Sequence, residues 1–142
     1  MKRTVKSWLT ILPLVFALIL ALTACNTAAK TGVWESATYR RDMTFGHGEK
    51  TVTVEVAAEE QTVTFTVKTD EMTVGAALLA HDLIAGEEGA YGLYVKVVNG
   101  MTADYDVDGS YWAFYIDGEY AMSGVDSTEI QEGAVYRLVY TK

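Results

Sequence analysis

The chain has 142 residues, a net charge of −8 and a single cysteine. This length allows one domain of ordinary size, and a single cysteine excludes an internal disulfide and a thiolate metal cluster. Because acidic residues outnumber basic ones by nineteen to eleven, the chain has few cations to displace counterions from phosphates, which excludes nucleic acid as a partner.

The N-terminal segment has the order of features that is typical of a secretory signal. Three basic residues come first without an acidic one, and an apolar run over 8–22 follows. The run ends in Leu-Thr-Ala-Cys at 22–25, which resembles the bacterial lipoprotein signal, in which the thiol takes a diacylglycerol before the peptide is cut. We therefore predict a helical signal peptide over 1–24 and lipidation of Cys25. The alternative is an uncleaved transmembrane anchor, for which the run is short because a bilayer needs about 20 apolar residues.

Charge and composition predict how the rest of the chain meets the membrane. All nineteen acidic residues but only eight of the eleven basic ones follow the predicted cleavage site. Such a surface is repelled by anionic headgroups, so we expect the lipid on Cys25, rather than a basic patch, to hold the protein at the extracytoplasmic face of the cell membrane. Residues 26–36 lack periodicity and are predicted to form a short tether.

The next segments predict a hairpin and a helix. Residues 37–47 alternate only loosely and fit either an edge strand or a packed arm. From position 50, valines alternate with threonines, and the same alternation resumes after residues 57–61. This pattern predicts two antiparallel strands joined by a turn at 57–61. Thr73 is the predicted N-cap of a helix of about three turns that ends at a C-cap glycine, Gly86. Its predicted apolar stripe is Val74, Ala77, Leu78 and Leu83 or Ile84.

The C-terminal half predicts three more strands, over 91–98, 110–116 and 134–141, all rich in aromatic and β-branched residues. Asn99-Gly100 and Asp117-Gly118 are hairpin signals. The order β-β-α-β-β-β predicts an α+β, β-grasp-like fold, in which one helix packs on one face of a mixed sheet. We divide the chain into the signal peptide 1–24, a lipidated tether and N-terminal arm over 25–48, and one domain over 49–142.

Several motifs of the predicted domain resemble the bacterial transcobalamin C-terminal-like domain family. They are Tyr91-Gly92, the aromatic strand 111–116 leading into Asp-Gly-Glu, Gly124-Val125-Asp126, and Glu132-Gly133 before the last strand. The resemblance covers about residues 50–142 and implies a β-grasp fold. Many members are lipoproteins of Gram-positive gut bacteria, in agreement with the prediction for Cys25. In animal transcobalamin and intrinsic factor the similar domain closes over cobalamin bound to a helical barrel, which is absent from this sequence, so the resemblance implies the fold more firmly than the ligand.

The aromatic strand carries the candidate ligand site. Alternation sends Trp112, Phe114 and Ile116 to the face under the helix and the tyrosines of 111–116 to the other face. Exposed tyrosines would form a stacking platform for a flat ligand, such as the corrinoid that the resemblance implies, or for a partner protein. Alternatively, residues 33–47 cover this face and bury the tyrosines. The candidate ligand-binding residues are Tyr105, Tyr111, Trp112 and Tyr115.

Asp104, Asp106 and Asp108, followed by Gly109, have the spacing that opens an EF-hand calcium loop. The twelfth position of that loop is Tyr115 instead of a glutamate, and a predicted strand follows instead of a helix. A solvated turn is therefore favoured over a metal site, and the three aspartates are weak metal-ligand candidates.

The sequence has no pattern that is typical of catalysis. Neither His47 nor His81 has a second histidine three or four residues on, and no serine lies in a nucleophile elbow. We therefore predict a non-enzymatic binding module without a cofactor, which recognises a small ligand at the membrane surface. The alternatives are an accessory module that binds an envelope protein and has no small ligand, and a calcium-dependent adhesion module.

Overall fold

A computed structural model of the chain describes residues 32–142, so the signal peptide over 1–24 and the lipidation of Cys25 lie outside the described residues. The described residues form a mixed six-stranded sheet, a three-stranded antiparallel sheet and two short helices, which confirms the predicted α+β class. None of these helices is long and apolar enough to span a bilayer. The elements are a 3-10 turn (Val33–Ser36), β1 (Met43–Gly46), β2 (Lys50–Ala58), β3 (Gln61–Thr69), α1 (Val74–Leu79), β4 (Ile84–Gly89), β5 (Gly92–Val98), β6 (Met101–Thr102), α2 (Tyr105–Asp108), β7 (Tyr111–Ile116), β8 (Glu119–Tyr120), a second 3-10 turn (Val125–Ser127) and β9 (Val135–Thr141).

The six-stranded sheet has the order β1-β3-β2-β9-β7-β8. The predicted hairpin of β2 and β3 pairs along its whole length, with Val54 opposite Phe65. β9 lies between β2 and β7, parallel to the first and antiparallel to the second. β1 pairs parallel with β3 at the edge, so the loosely alternating segment 37–47 contains an edge strand.

The hydrophobic core covers one face of this sheet. Alternate residues of the central strands are almost inaccessible to solvent, because the period of two sends every second side chain to the same face. Burial of each large side chain of this set contributes about 1.5–3 kcal/mol to the hydrophobic stabilisation. The set includes Val52, Val54, Val56, Phe65, Val67, Tyr136 and Leu138.

A helix and the second sheet together cover the core. α1 packs on β3, β4 and the second 3-10 turn, while β5 lies against β7. Trp112, Phe114 and Ile116 belong to the core as predicted, but β5 rather than the helix covers their strand. α1 packs on one face of the mixed sheet as predicted, but it has six residues and is about 9 Å long, so it covers only part of that face.

The start of α1 matches the prediction and its end does not. The Thr73 hydroxyl accepts a hydrogen bond from the backbone N–H of Ala76 at 3.2 Å, which confirms the N-cap. The helix ends at Leu79, and the predicted C-cap Gly86 lies in β4 at a register shift opposite β5. An added Cβ at Gly86 would lie 1.9 Å from the carbonyl oxygen of Tyr94. This glycine is therefore required by the close approach of two strands.

The segment 33–47 packs on the β1–β3 end of the sheet. The Trp34 side chain is buried, and its indole N–H donates a hydrogen bond of 2.8 Å to a backbone carbonyl of β2. The Tyr39 ring packs edge-on against Phe65, with 5.9 Å between centroids, and the Asn99 side chain holds the Tyr39 backbone by two hydrogen bonds. The N-terminal arm thus contributes to the core.

Candidate functional site

An open groove lies where β5, the start of α2 and the β7–β8 hairpin meet. We call it the tyrosine groove, after Tyr94, Tyr105, Tyr111 and Tyr120, which line it. It consists of two neighbouring hollows of about 540 and 440 Å³ that share three of these tyrosines. The exposed fractions are 63% for Tyr105, 60% for Tyr120 and 41% for Tyr94, so these rings present much of their surface to solvent.

Local structure fixes the positions of the two most exposed rings. Tyr105 is the first residue of α2, whose N-cap Asp104 accepts a hydrogen bond from the Asp106 backbone N–H. The Tyr105 ring packs edge-on against Tyr111, with 6.5 Å between centroids. Tyr120 follows the Asp-Gly turn at 117–118, whose two positive φ angles of 48° and 84° suit a tight hairpin. The sequence thus places both rings by local signals, a cap and a turn.

Three of the four candidate ligand-binding residues line the groove. They are Tyr105, Tyr111 and Trp112. Trp112 is buried and forms part of the wall, whereas Tyr115 lies outside the lining and packs edge-on against Tyr120 at 5.5 Å between centroids. Tyr115 therefore supports a ring of the groove.

The structure bears on the predicted tyrosine face in two ways. Tyr111 and Trp112 line the same groove although they alternate in the strand, because this end of β7 is a sheet edge: β8 pairs only with Tyr115 and Ile116. In addition, no residue of 33–47 lines the groove, so the arm leaves it open.

Sequence reasoning missed Tyr94, Tyr120 and Met122, which also line the groove. Each lies on a predicted strand or hairpin return, but the sequence has no signal for the packing of β5 beside β7. The Asp117-Gly118 turn places Tyr120 opposite Tyr115, and this pairing is the one local signal that could have added Tyr120 to the site.

The groove has an acidic side next to its aromatic rings. Asp104 and Asp106 line the larger hollow together with the four tyrosines. The Lys96 ammonium lies 3.2 Å from Glu87 and 3.6 Å from Asp104, and 6.0 Å from the centre of the Tyr94 ring. The hydrogen bond that the Lys96 ammonium donates to the Glu87 carboxylate is the main cause that raises the pKa of Lys96 above its ordinary value, so this lysine is charged at neutral pH.

Two of the three aspartates of the calcium hypothesis, Asp104 and Asp108, have local side-chain roles in the structure. They lie in and before the short helix α2, where a solvated turn was predicted. The Asp108 carboxylate accepts hydrogen bonds from the backbone and hydroxyl of Ser110 and pairs with the Lys142 ammonium at 3.1 Å. The hydroxyl of Ser110 is the main cause that lowers the pKa of Asp108. Within residues 32–142 no three histidine, cysteine, aspartate or glutamate side chains form a group that could hold a metal ion.

Fold and groove together define a small α+β domain with an open aromatic site at the edge of its main sheet. The chain belongs to the family described as domain of unknown function DUF4430, whose sequence model matches residues 72–142. This range contains all four tyrosines of the groove. No curated protein matches the chain.

The solved structures that are similar to this chain include two that bear on its fold. One is the crystal structure, at 1.30 Å resolution, of a "putative metal binding protein" from Ruminococcus gnavus, with 30% sequence identity and a TM-score of 0.62. The match covers 66% of this chain and 98% of that one. The other is haptocorrin in complex with Cbi, with 21% identity and a TM-score of 0.47, where the match covers 69% of this chain. The chain spans about a quarter (26%) of the haptocorrin length.

Proposed function

We propose that this protein is a lipid-anchored, non-enzymatic binding module that holds a small ligand in the tyrosine groove at the extracytoplasmic face of the membrane. The observation that carries the proposal is the exposure of the Tyr94, Tyr105 and Tyr120 rings within one open groove. Contiguous aromatic surface of this kind is unfavourable in water and marks a binding surface.

Size and chemistry of the groove support a small ligand. Ligand sites in proteins have volumes of about 300–1,000 Å³ and combine apolar walls with a few polar groups. The two hollows fall in this range, and their walls combine tyrosine rings with the hydroxyls and carboxylates at the rim. A planar ligand gains offset or edge-to-face contacts with such rings, each worth about 0.5–1.5 kcal/mol beyond the area it buries.

The first ligand to test is a corrinoid, because the motifs of the domain resemble the transcobalamin C-terminal-like family. Calorimetric titration of the full chain in detergent with cobinamide and cobalamin is expected to release or absorb heat with saturation. The same titration with a panel of smaller aromatic compounds tests the groove independently of the corrinoid. No response to any compound at high micromolar concentration contradicts the proposal.

Groove variants show where a ligand binds. Tyr120→Ala removes an exposed ring that supports no core contact of its own, so we expect affinity to fall about tenfold while the fold is kept. Tyr91→Ala is the matched control, since Tyr91 is almost wholly exposed and lies outside the groove lining. Equal affinity of the two variants would place the ligand elsewhere.

A protein partner is the second candidate occupant, because the edge of β7 is open beside the groove. β8 pairs only with Tyr115 and Ile116, so among the described residues the first half of β7 has no strand on that side. Met122, which is 98% exposed, lies next to this edge. An extended segment of an envelope protein could add a strand there.

A photoreactive residue in place of Met122 tests this second candidate in native membranes. One discrete cross-linked product at near-stoichiometric yield is expected if a strand of another protein pairs with β7. The same residue in place of Tyr91 is the control, and a product that forms equally from both positions, or no product, contradicts the candidate.

A further inference from the structure

We propose that the tyrosine groove is a cage for an organic cation and that its ligand carries a substituted ammonium group. This inference rests on the proposed function and names the chemical class of the ligand. It is drawn from the larger hollow, which is lined by Tyr94, Asp104, Tyr105, Asp106, Tyr111 and Tyr120.

Four tyrosine rings line the larger hollow, and neighbouring rings hold two of them in place. Tyr105 and Tyr111 meet edge to face, and Tyr120 is held edge-on by Tyr115 behind it. The negative face of an aromatic ring attracts a cation within about 6 Å of its centre, and several rings around one site recognise quaternary ammonium groups. Four tyrosines around about 540 Å³ therefore provide the aromatic part of such a cage.

The charges beside the rings complement a cation. Asp104 and Asp106 line the hollow. Among the described residues, no lysine or arginine nitrogen lies within 4.0 Å of the Asp106 carboxylate, whereas Asp104 pairs with Lys96. A ligand ammonium near Asp106 would thus find an uncompensated negative charge, and an anionic ligand would be repelled.

This chain already places one of its own ammonium groups against the same wall. The Lys96 Nζ lies 6.0 Å from the centre of the Tyr94 ring and 3.6 Å from Asp104. One ring and one carboxylate of the groove thus contact a cation in the structure. The contacts of the Lys96 ammonium do not depend on the shape of the hollow. They support a cationic ligand over a neutral aromatic one, because this ring and this carboxylate already lie beside a cation.

Choline and its neutral isostere 3,3-dimethylbutan-1-ol separate charge from shape. The full chain is titrated with each in a nonionic detergent, because zwitterionic detergents carry quaternary ammonium groups, and the tyrosine ring resonances are followed by NMR. We expect choline to bind at least about tenfold more tightly than the isostere. Added salt should weaken the binding of choline and leave that of the isostere unchanged.

Three variants test the two parts of the cage. Tyr105→Leu keeps apolar area but removes a ring, and should weaken choline binding roughly three- to tenfold, whereas Tyr105→Phe should restore it. Asp106→Asn removes the charge and should weaken choline binding by about threefold at low salt. Tyr91→Leu and Glu60→Gln are matched controls at exposed positions outside the groove and should leave the affinity unchanged.

The outcomes separate this inference from the proposed function. Equal binding of choline and the isostere, lost in Tyr105→Leu, overturns the cation cage but leaves a small-ligand groove. Binding of a corrinoid or an aromatic compound without any response to choline overturns the cation cage alone. No response to any of these compounds overturns both, and choline binding that Tyr105→Leu and Asp106→Asn leave unchanged overturns the assignment of the cage to this groove.

Discussion

Asn99 shows how one side chain can connect two distant segments. It is buried and adopts a positive φ of 52° in the turn between β5 and β6. Its side-chain oxygen accepts from the Tyr39 backbone N–H at 2.9 Å, and its side-chain amide donates to the Tyr39 carbonyl at 2.7 Å. Asparagine suits this position because it tolerates the left-handed conformation and supplies both a donor and an acceptor.

We predict that Asn99→Ala lowers the free energy of unfolding by about 3 kcal/mol, since it adds backbone strain and leaves the Tyr39 amide and carbonyl without partners. Asn99→Gly relieves the strain but not the loss of hydrogen bonds, and should recover about 1 kcal/mol. Urea unfolding of the fragment 26–142 measures both values. Equal stability of the two variants would show that strain contributes nothing at this position.

Asp108 gives a pH dependence with a definite sign. Its hydrogen bonds from Ser110 and the pairing with Lys142 lower its pKa in the folded state below the ordinary value of 3.8. The carboxylate therefore stabilises the fold above about pH 3.8, and this contribution is lost as the pH falls through the lower folded value.

The urea midpoint of Asp108→Asn should accordingly lie below that of the unmodified protein at about pH 7, and the difference should shrink as the pH falls below about 3.8. Asp82→Asn, at an exposed position with a left-handed φ of 54° that asparagine also tolerates, is the control. A difference between unmodified protein and Asp108→Asn that persists undiminished at about pH 2 would contradict the assignment.

At the scale of elements, the β4–β5 ladder depends on Gly86. A Cβ there would meet the Tyr94 carbonyl oxygen at 1.9 Å, so Gly86→Ala forces the two strands apart. We predict a loss of about 2 kcal/mol or more in unfolding free energy, and weaker ligand binding because Tyr94 moves with β5.

Gly89→Ala on the same strand is the matched control, because its Cβ would lie 3.3 Å from its nearest neighbour, the carbonyl oxygen of Gly92. Its stability should stay within about 1 kcal/mol of the unmodified protein. Chemical denaturation and titration of both variants check the pair. Equal losses of unfolding free energy in the two variants would mean that the close approach of the strands at Gly86 does not determine the stability of the ladder.

Elements with local signals were predicted from the sequence. The alternation of valine and threonine predicted the β2–β3 hairpin, and Thr73 predicted the start of α1; the structure has both. Asn99-Gly100 and Asp117-Gly118 form the expected turns with positive φ. These predictions succeed because capping, turns and alternation each depend on residues close together in the chain.

Features that depend on distant residues were not predicted. Nothing in the sequence indicates that β9 lies between β2 and β7, since its pairing joins residues some eighty positions apart. Gly86 was assigned to a helix end because a C-cap and a close strand contact both select glycine. Tyr111 and Trp112 were identified from the aromatic strand and Tyr105 from its position shortly before that strand. Tyr94 was missed because β5 reaches the groove only through tertiary packing.

At the scale of the whole molecule, the proposed function requires that an acidic domain stays close to the anionic headgroups of a membrane. The chain carries a net charge of −8, and all nineteen acidic residues but only eight of the eleven basic ones follow the predicted cleavage site. Coulomb repulsion opposes contact of the domain with anionic headgroups, so a lipid of two or more acyl chains is the anchor that we expect. We propose that the tyrosine groove is thereby held on the extracytoplasmic side.

We predict that Cys25→Ala abolishes metabolic labelling of the protein with palmitate and that the precursor, longer by the 24 residues before Cys25, accumulates. Labelling should persist in the control Asn26→Ala, which leaves the thiol in place. Labelled fatty acid on Cys25→Ala would show that the lipid is attached elsewhere. A protein that keeps its full length and stays unlabelled with Cys25 intact would instead support the uncleaved anchor, and the apolar run over 8–22 would then hold the domain at the membrane.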